Sequence, residues 1–198
     1  MALTRLGLNQ SINLATNTTG TLAVSNGGTG LASGTSGQFL KFTGSTTVAS
    51  AAAPGKIAQV ISGGTSSGTS TSSSSFVNSN CTVSITPTAT DSKVLLQFSG
   101  NGIFVANEGT AMAFQLVRTV GGVSTNIQTK FARYVGYLTV LSGLNDMQEA
   151  CSFEFLDSPS TTSATTYTVQ IQKETGSGSV TLCANGQASS FVAMEVLA

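Results

Sequence analysis

The chain has 198 residues, and only 8% of them are charged, with eight basic and eight acidic side chains. The net charge of zero and the lack of a basic stripe argue against nucleic acid or an anionic membrane as a partner. Because the sequence contains no histidine, it excludes Ser-His-Asp and Cys-His catalysis and histidine-based zinc sites.

The first part of the chain, residues 1–55, contains short apolar pairs separated by Gly, Ser, Thr and Asn. Such a segment cannot build a core alone, because ordering the backbone costs about 1–2 kcal/mol per residue. We expect it to be ordered only against other chains or a docking surface. We expect neither a signal peptide nor a membrane span, since its apolar patches are short. "ASAAAPG" at 49–55 marks a domain boundary.

The second part, residues 56–198, alternates apolar and polar residues in segments separated by turn-forming residues. "GKIAQVIS" predicts a first strand, and the low-complexity segment 63–75 predicts a loop too polar and flexible to join a core. Later strands are predicted to point these side chains to one face: Val83, Ile85, Val94, Leu96, Phe98, Met112, Phe114, Leu116, Cys151, Phe153, Phe155, Tyr167, Val169 and Ile171. In "MAFQLVR", the neighbours of Met112, Phe114 and Leu116 face that way instead if the register slips. With "GYLTVLSGL", "GSVTLCANG" and "SSFVAMEVLA" there are about eight to ten strands, which favours an all-β antiparallel sandwich or jelly roll.

The last predicted strand differs from the others because it is apolar on both faces. Its apolar residues include Phe191, Val192, Met194 and Val196, and only Glu195 is polar. One face of a strand in an antiparallel sandwich normally meets water, so we expect these four apolar residues to form a subunit interface. The alternative is a central strand that is covered on both faces within one chain.

Few residues suggest reaction chemistry. Cys81, Cys151 and Cys183 are odd in number and lack CxxC spacing, so we expect free, mostly buried thiols in a protein made in a reducing cytoplasm. "GTGLAS" at 28–33 approaches the dinucleotide fingerprint, but no helix follows it. Carboxylate pairs for sugar hydrolysis are available, but these acids lie at predicted strand ends and loops, where they are solvated. We expect no enzyme activity, no metal and no cofactor.

The segment "FARYVGY", residues 131–137, gathers Arg133, Tyr134 and Tyr137 beside a predicted turn. Amphipathic aromatic rings and an arginine favour contact with a partner protein or a sugar. The alternative is an ordinary strand with one exposed arginine.

One segment carries a family resemblance. "GTLAVSNGGTGLASGTSGQFLKF", residues 20–42, resembles a short segment of bacteriophage tail-fibre and related virion fibre proteins, commonly G-T-L-P-V-x-N-G-G-T-G followed by G-x-x-G-Q-x-L. It departs from that pattern at Ala23, where the family usually has Pro. The C-terminal part is similar to the trimeric tip domains of phage fibres in "SSFVNSNCTVSITPTATDSKVLLQFSG", "SFEFLDSPSTTSATTYTVQIQ" and "AMEVLA". Those domains are jelly-roll-like β-sandwiches, similar to complement C1q and tumour necrosis factor heads.

The resemblance implies a homotrimer with an extended N-terminal anchor and stalk, residues 1–55, and a jelly-roll-like knob, residues 56–198. The implied stalk turn consists of Asn26, Gly27, Gly28 and Gly30, and the implied virion anchor of Leu3, Leu6, Leu8, Ile12 and Leu14. The anchor would bind other virion proteins, and the knob would bind a glycan or protein of the host surface.

The resulting hypothesis is a non-enzymatic virion protein of a phage, assembled in the host cytoplasm as a short trimeric tail fibre. The stalk segment occurs only once, and 55 residues span at most about 180 Å. A capsid fibre or decoration protein, anchored to the shell by its N-terminus, is therefore the alternative. A polysaccharide-degrading tailspike is a third candidate, although tailspikes are usually much longer and have clear acidic sites.

Overall fold

The computed structural model describes residues 29, 31, 34–45, 47–51, 57–137 and 146–197. The chain divides into two compact units, Met1–Pro54 and Gly55–Ala198. The predicted anchor residues and the predicted turn residues Asn26, Gly27, Gly28 and Gly30 lie outside the described residues, as does most of the predicted strand "GYLTVLSGL".

The described part of the first unit is a small hairpin. Strand β1 (Phe39–Phe42) pairs antiparallel with β2 (Val48–Ala51), with Phe39 opposite Ala51. The exposed fractions of Phe39, Leu40 and Phe42 are 64%, 58% and 70%. None of the described residues of this unit is buried, so these two strands leave their aromatic side chains uncovered.

The second unit is an antiparallel β-sandwich, and its described residues contain no α-helix. Its strands are β3 (Ile57–Thr65), β4 (Thr69–Thr71), β5 (Val77–Ile85), β6 (Lys93–Ala106), β7 (Ala111–Val120), β8 (Val123–Val135), β9 (Asp146–Asp157), β10 (Thr165–Thr175), β11 (Val180–Leu182) and β12 (Ser189–Val196). One sheet has four strands in the order β5-β10-β7-β8, and the other has six, β3-β12-β6-β11-β4, with β9 also pairing β6.

The core lies between the two sheets, and its residues follow the alternation of the sequence. Every predicted inward-facing side chain from β5, β6, β7 and β10 is buried, and those of β9 are partly buried against the same cluster. Phe98 is at its centre, with ring centroids 6.0 Å from Phe114, 5.1 Å from Phe153 and 6.0 Å from Phe191. Fully burying a side chain of this size contributes about 1.5–3 kcal/mol. The predicted all-β antiparallel sandwich is confirmed.

The prediction of a flexible loop over 63–75 is wrong in part. Strand β3 continues to Thr65, and Thr69–Thr71 forms β4, which pairs with β11. A Cβ at Gly63 would lie 2.3 Å from the carbonyl oxygen of Thr82 on β5. Glycine is therefore needed here for the close approach of the two sheets, and its presence does not indicate flexibility.

Strand β12 is a central strand of a single chain, which is the alternative that the sequence left open. It pairs with β3 on one side and with β6 on the other. Phe191, Ala193 and Glu195 point inward and have no exposed surface. The assignment of Phe191 to a subunit interface is therefore corrected, because its side chain packs inside its own chain.

Candidate functional site: an apolar sheet face and a charged cluster

An apolar row crosses the outer face of the six-stranded sheet. Val60, Met194, Leu95 and Leu156 occupy one rung, since Met194 is opposite both Val60 and Leu95, and Leu95 is opposite Leu156. Val60 is 58% exposed and Leu156 is 50% exposed, whereas the two central side chains are half-buried. Adjacent strands lie about 4.8 Å apart, so these four residues make a stripe about 14 Å wide.

Neighbouring rungs extend the stripe on one side and end it on the other. Val196 is opposite Ile57, which is 48% exposed, and on its other side it is opposite the exposed Lys93, so the apolar surface continues in that direction only over β3 and β12. In the other direction, Gln97 donates a 2.6 Å hydrogen bond from Nε2 to Oε1 of Glu154. A contiguous apolar patch on an outer face that ends in a polar pair is the composition expected of a protein interface.

Three of the four predicted interface residues lie on this face. Val192, Met194 and Val196 alternate with the buried side chains of β12 and are half-buried. The sequence did not indicate their neighbours Val60, Leu95 and Leu156, because these belong to three other strands and meet β12 only through the pairing of the sheet.

Glu195 on the same strand points into the sandwich, is buried, and accepts three hydrogen bonds from described residues. Gln59 donates from Nε2 to Oε2 at 2.7 Å and also to the carbonyl oxygen of Thr86. The backbone N–H and the hydroxyl of Thr88 donate to Oε1 at 2.6 and 2.8 Å. Burial raises the pKa of Glu195, but these hydrogen bonds, led by that from Gln59, outweigh it and lower the pKa to about 2. The carboxylate ties the segment after β5 to β3 and β12.

A second buried carboxylate joins the two sheets. Asp157 on β9 accepts two hydrogen bonds of 2.9 Å from Nη1 of Arg118 on β7. It also accepts one of 2.7 Å from the hydroxyl of Tyr167 on β10. Burial, followed by the bond to Asp157, raises the pKa of Tyr167 above its ordinary value. The side chain of Asp157 is only 7% exposed, so we assign it a structural role.

A charged cluster lies where β8 and β10 face each other across β7. Glu174 accepts from Lys130 Nζ at 2.9 Å, from Arg133 Nη2, and from Gln172 Nε2 at 2.6 Å. The bond from Lys130 contributes most to lowering the pKa of Glu174, and burial opposes it. The long side chains of Lys130 and Arg133 thus reach over β7 to a single carboxylate.

The predicted contact residues are placed as follows. Arg133 is half-exposed in this cluster, and Tyr137 follows β8 with 44% of its surface exposed. Tyr134 lies in β8. The sequence indicated an arginine at a surface but not its bond to Glu174, which is 41 residues away along the chain.

The remaining reactive groups are shielded or isolated. Cys81 and Cys183 are buried, Cys151 is half-buried, and all three are free. Burial, with a smaller contribution from Cys183, raises the pKa of Cys81 to about 12, which makes it a poor nucleophile. In the described part of the chain, no group of three or more Cys, Asp or Glu side chains could hold a metal ion. Likewise, no helix in the described ranges is long and apolar enough to cross a membrane.

Comparison with known proteins gives no family. No family model matches the chain, and no curated protein matches it significantly. A chain in the structure of infectious bursal disease virus Gt strain is similar at 13% identity and a TM-score of 0.35, over 80% of this chain and 42% of that one. A chain of infectious bursal virus derived T=1 particles is similar at 11% identity and a TM-score of 0.36, over 80% and 40%. This chain spans about two fifths of the length of those chains, and likeness this weak decides nothing about its function.

Proposed function

We propose that the protein is a non-enzymatic structural protein of a bacteriophage virion and that it acts as a homotrimer. Its first unit anchors and spaces the trimer, and its sandwich unit forms a knob that binds the host surface. The observation that carries the proposal is the apolar row of Val60, Met194, Leu95 and Leu156 on the outer face of a closed sandwich. A contiguous apolar row at the surface is typical of an interaction site.

The occupant of this face is a second copy of the chain. An apolar patch that lies at a symmetry axis is covered by its own copies when identical subunits meet around that axis. Strand β12 contributes its outward side chains Val192, Met194 and Val196, and its inward side chains support them from the core. The polar pair of Gln97 and Glu154 lies at the edge of the patch, where an interface normally carries polar groups.

The preferred candidate is a tail fibre, located on the tail, and the second candidate is a decoration protein, located on the capsid. The second is favoured because the segment that resembles fibre stalks, residues 20–42, occurs only once in the sequence. The two positions differ in where the protein is found on a particle. Gold-labelled antibody against the sandwich unit should label the tail in electron micrographs of intact virions, whereas labelling over the whole shell would support decoration. Absence of the protein from purified particles would contradict both positions.

We also propose that the protein has no enzyme activity, and this claim is tested separately. Purified protein is incubated with capsular polysaccharide and lipopolysaccharide, and reducing sugar ends are measured. No release above a boiled control is expected. Release of reducing ends above that control would contradict the proposal.

A further inference from the structure

The outer face of the four-stranded sheet carries a row of hydroxyl groups. Ser84, Thr166, Thr119 and Ser124 occupy one rung, one residue from each strand. The hydroxyls of Ser84 and Thr166 are 2.7 Å apart, and those of Thr119 and Ser124 are 2.9 Å apart. This hydroxyl row contrasts with the apolar row on the opposite outer face of the sandwich.

A row of side-chain amides runs beside it. Gln170 donates from Nε2 to Oδ1 of Asn78 at 2.7 Å. Gln115 donates from Nε2 to Oε1 of Gln170 at 2.8 Å and to Oδ1 of Asn126 at 2.9 Å. The four residues of this amide row therefore connect β5, β10, β7 and β8 by a continuous chain of hydrogen bonds.

The bonding pattern leaves donors at both ends of the amide row. A carboxamide has two N–H donors on nitrogen and accepts through oxygen. Asn78 and Asn126 are both exposed, and each uses only its oxygen within the row. Neither Nδ2 group has a bonding partner among the residues that the structure describes. Two pairs of N–H donors thus remain on exposed residues at the two ends of the row, one on β5 and one on β8, with β10 and β7 between them.

The composition of the two rows decides what chemistry they can recognise. Neither row contains a charged side chain, so the rows themselves offer no counter-charge to a phosphate, a sulfate or an acidic sugar. Of the large apolar side chains that the structure describes as exposed, none belongs to either row, and a protein partner would lack an anchoring residue. The amide and hydroxyl groups of the two rows can donate hydrogen bonds to, and accept them from, the many hydroxyls of an uncharged sugar.

We propose that this face binds an uncharged glycan, with the Nδ2 groups of Asn78 and Asn126 donating hydrogen bonds to sugar oxygens. The internal bonds of the amide row hold both donors in place before the ligand arrives, which lowers the entropy cost of binding. The inference rests on the proposed function, because it assigns the host-binding role of the knob to the sheet that lies opposite the apolar row.

The test exchanges nitrogen for oxygen at the two ends of the row. Asn78→Asp and Asn126→Asp keep the oxygen that accepts from Gln170 or Gln115, remove the Nδ2 donors and add one negative charge each. Gln148→Glu on β9, an exposed residue of the other sheet whose Oε1 accepts from Gln187 Nε2, adds the same charge as each single variant and is the matched control for the single variants. The full chain and its variants are applied to immobilised neutral oligosaccharides and to sialylated and uronic acid counterparts.

We expect the wild-type protein to bind one or more neutral oligosaccharides. The double variant should bind them about tenfold more weakly, as expected for the loss of two neutral hydrogen bonds, while Gln148→Glu changes binding less than twofold. No binding to neutral sugars, stronger binding to acidic ones, or equal losses in the single variants and the control would each overturn the proposal. Measuring the mass of every variant in solution shows whether a loss of sugar binding comes from the changed amides or from loss of the trimer.

Discussion

The hydroxyl of Tyr167 on β10 donates a 2.7 Å hydrogen bond to Oδ2 of Asp157 on β9, and this bond connects the four-stranded sheet to the six-stranded one. Arg118 on β7 binds the same carboxylate. The core between the sheets is mainly apolar, and Asp157 adds a buried polar connection between the two layers, which helps to fix how the sheets are oriented.

Asp157→Asn should destabilise the sandwich by about 2–4 kcal/mol, because it leaves Arg118 facing a neutral group in a largely buried site. Tyr167→Phe removes one hydrogen bond and should cost about 1–2 kcal/mol. The free energy of unfolding in urea measures both. Asp91→Asn, at an exposed turn, is the control and should change it by less than about 0.5 kcal/mol. Equal stability of Asp157→Asn and the control would contradict the role of Asp157.

Glu195 should make the stability of the protein depend on acid. Its pKa is lowered to about 2 in the folded state, from an ordinary value of 4.5. The folded state therefore favours the ionised carboxylate, and its contribution is complete above pH 4.5 and is lost as the pH falls toward 2. Urea unfolding between pH 6 and pH 2.5 should show this loss in the wild type and a flatter profile in Glu195→Gln. Glu108→Gln, at an exposed loop, should keep the wild-type profile, and a wild-type slope in Glu195→Gln would refute the assignment.

Gly63→Ala should destabilise the sandwich by about 1–3 kcal/mol, as overpacking does in a filled core. The added Cβ would lie 2.3 Å from the carbonyl oxygen of Thr82, so β3 and β5 would have to separate. Ser62→Ala, at the exposed neighbouring position of β3, is the control and should be nearly neutral. Thermal unfolding followed by circular dichroism compares the two variants, and similar melting temperatures would show that the two strands can move apart freely.

The sequence predicted the parts of the fold that depend on local alternation. Tyr167, Val169 and Ile171 were expected on one face of β10 and are buried together. Local patterns could not predict that Thr69–Thr71 forms a strand, because its partner β11 is over 100 residues further along the chain. They also gave no reason to expect Glu195 inside, since the partners that make its burial acceptable come from β3 and from the turn after β5.

The candidate sites, too, could be predicted from the sequence only where they depend on local alternation. Alternation along β12 identified Val192, Met194 and Val196 as outward-facing residues of an interface. The apolar row and the amide row each take one residue from each of four strands, so they exist only once the register of the sheet is fixed. Register depends on contacts between distant segments, and a single strand does not reveal it.

The central claim is that identical chains meet through the apolar row, and the mass of the full chain in solution tests it most directly. Light scattering after size-exclusion chromatography should give three times the chain mass of 20.0 kDa for the wild type. Met194→Asp places a charge in the middle of the row and should give monomers or aggregates, whereas Ser190→Asp, exposed on the same strand beyond the row, should remain a trimer. A monomeric wild type, or a folded Met194→Asp variant with an unchanged trimer mass, would contradict the account.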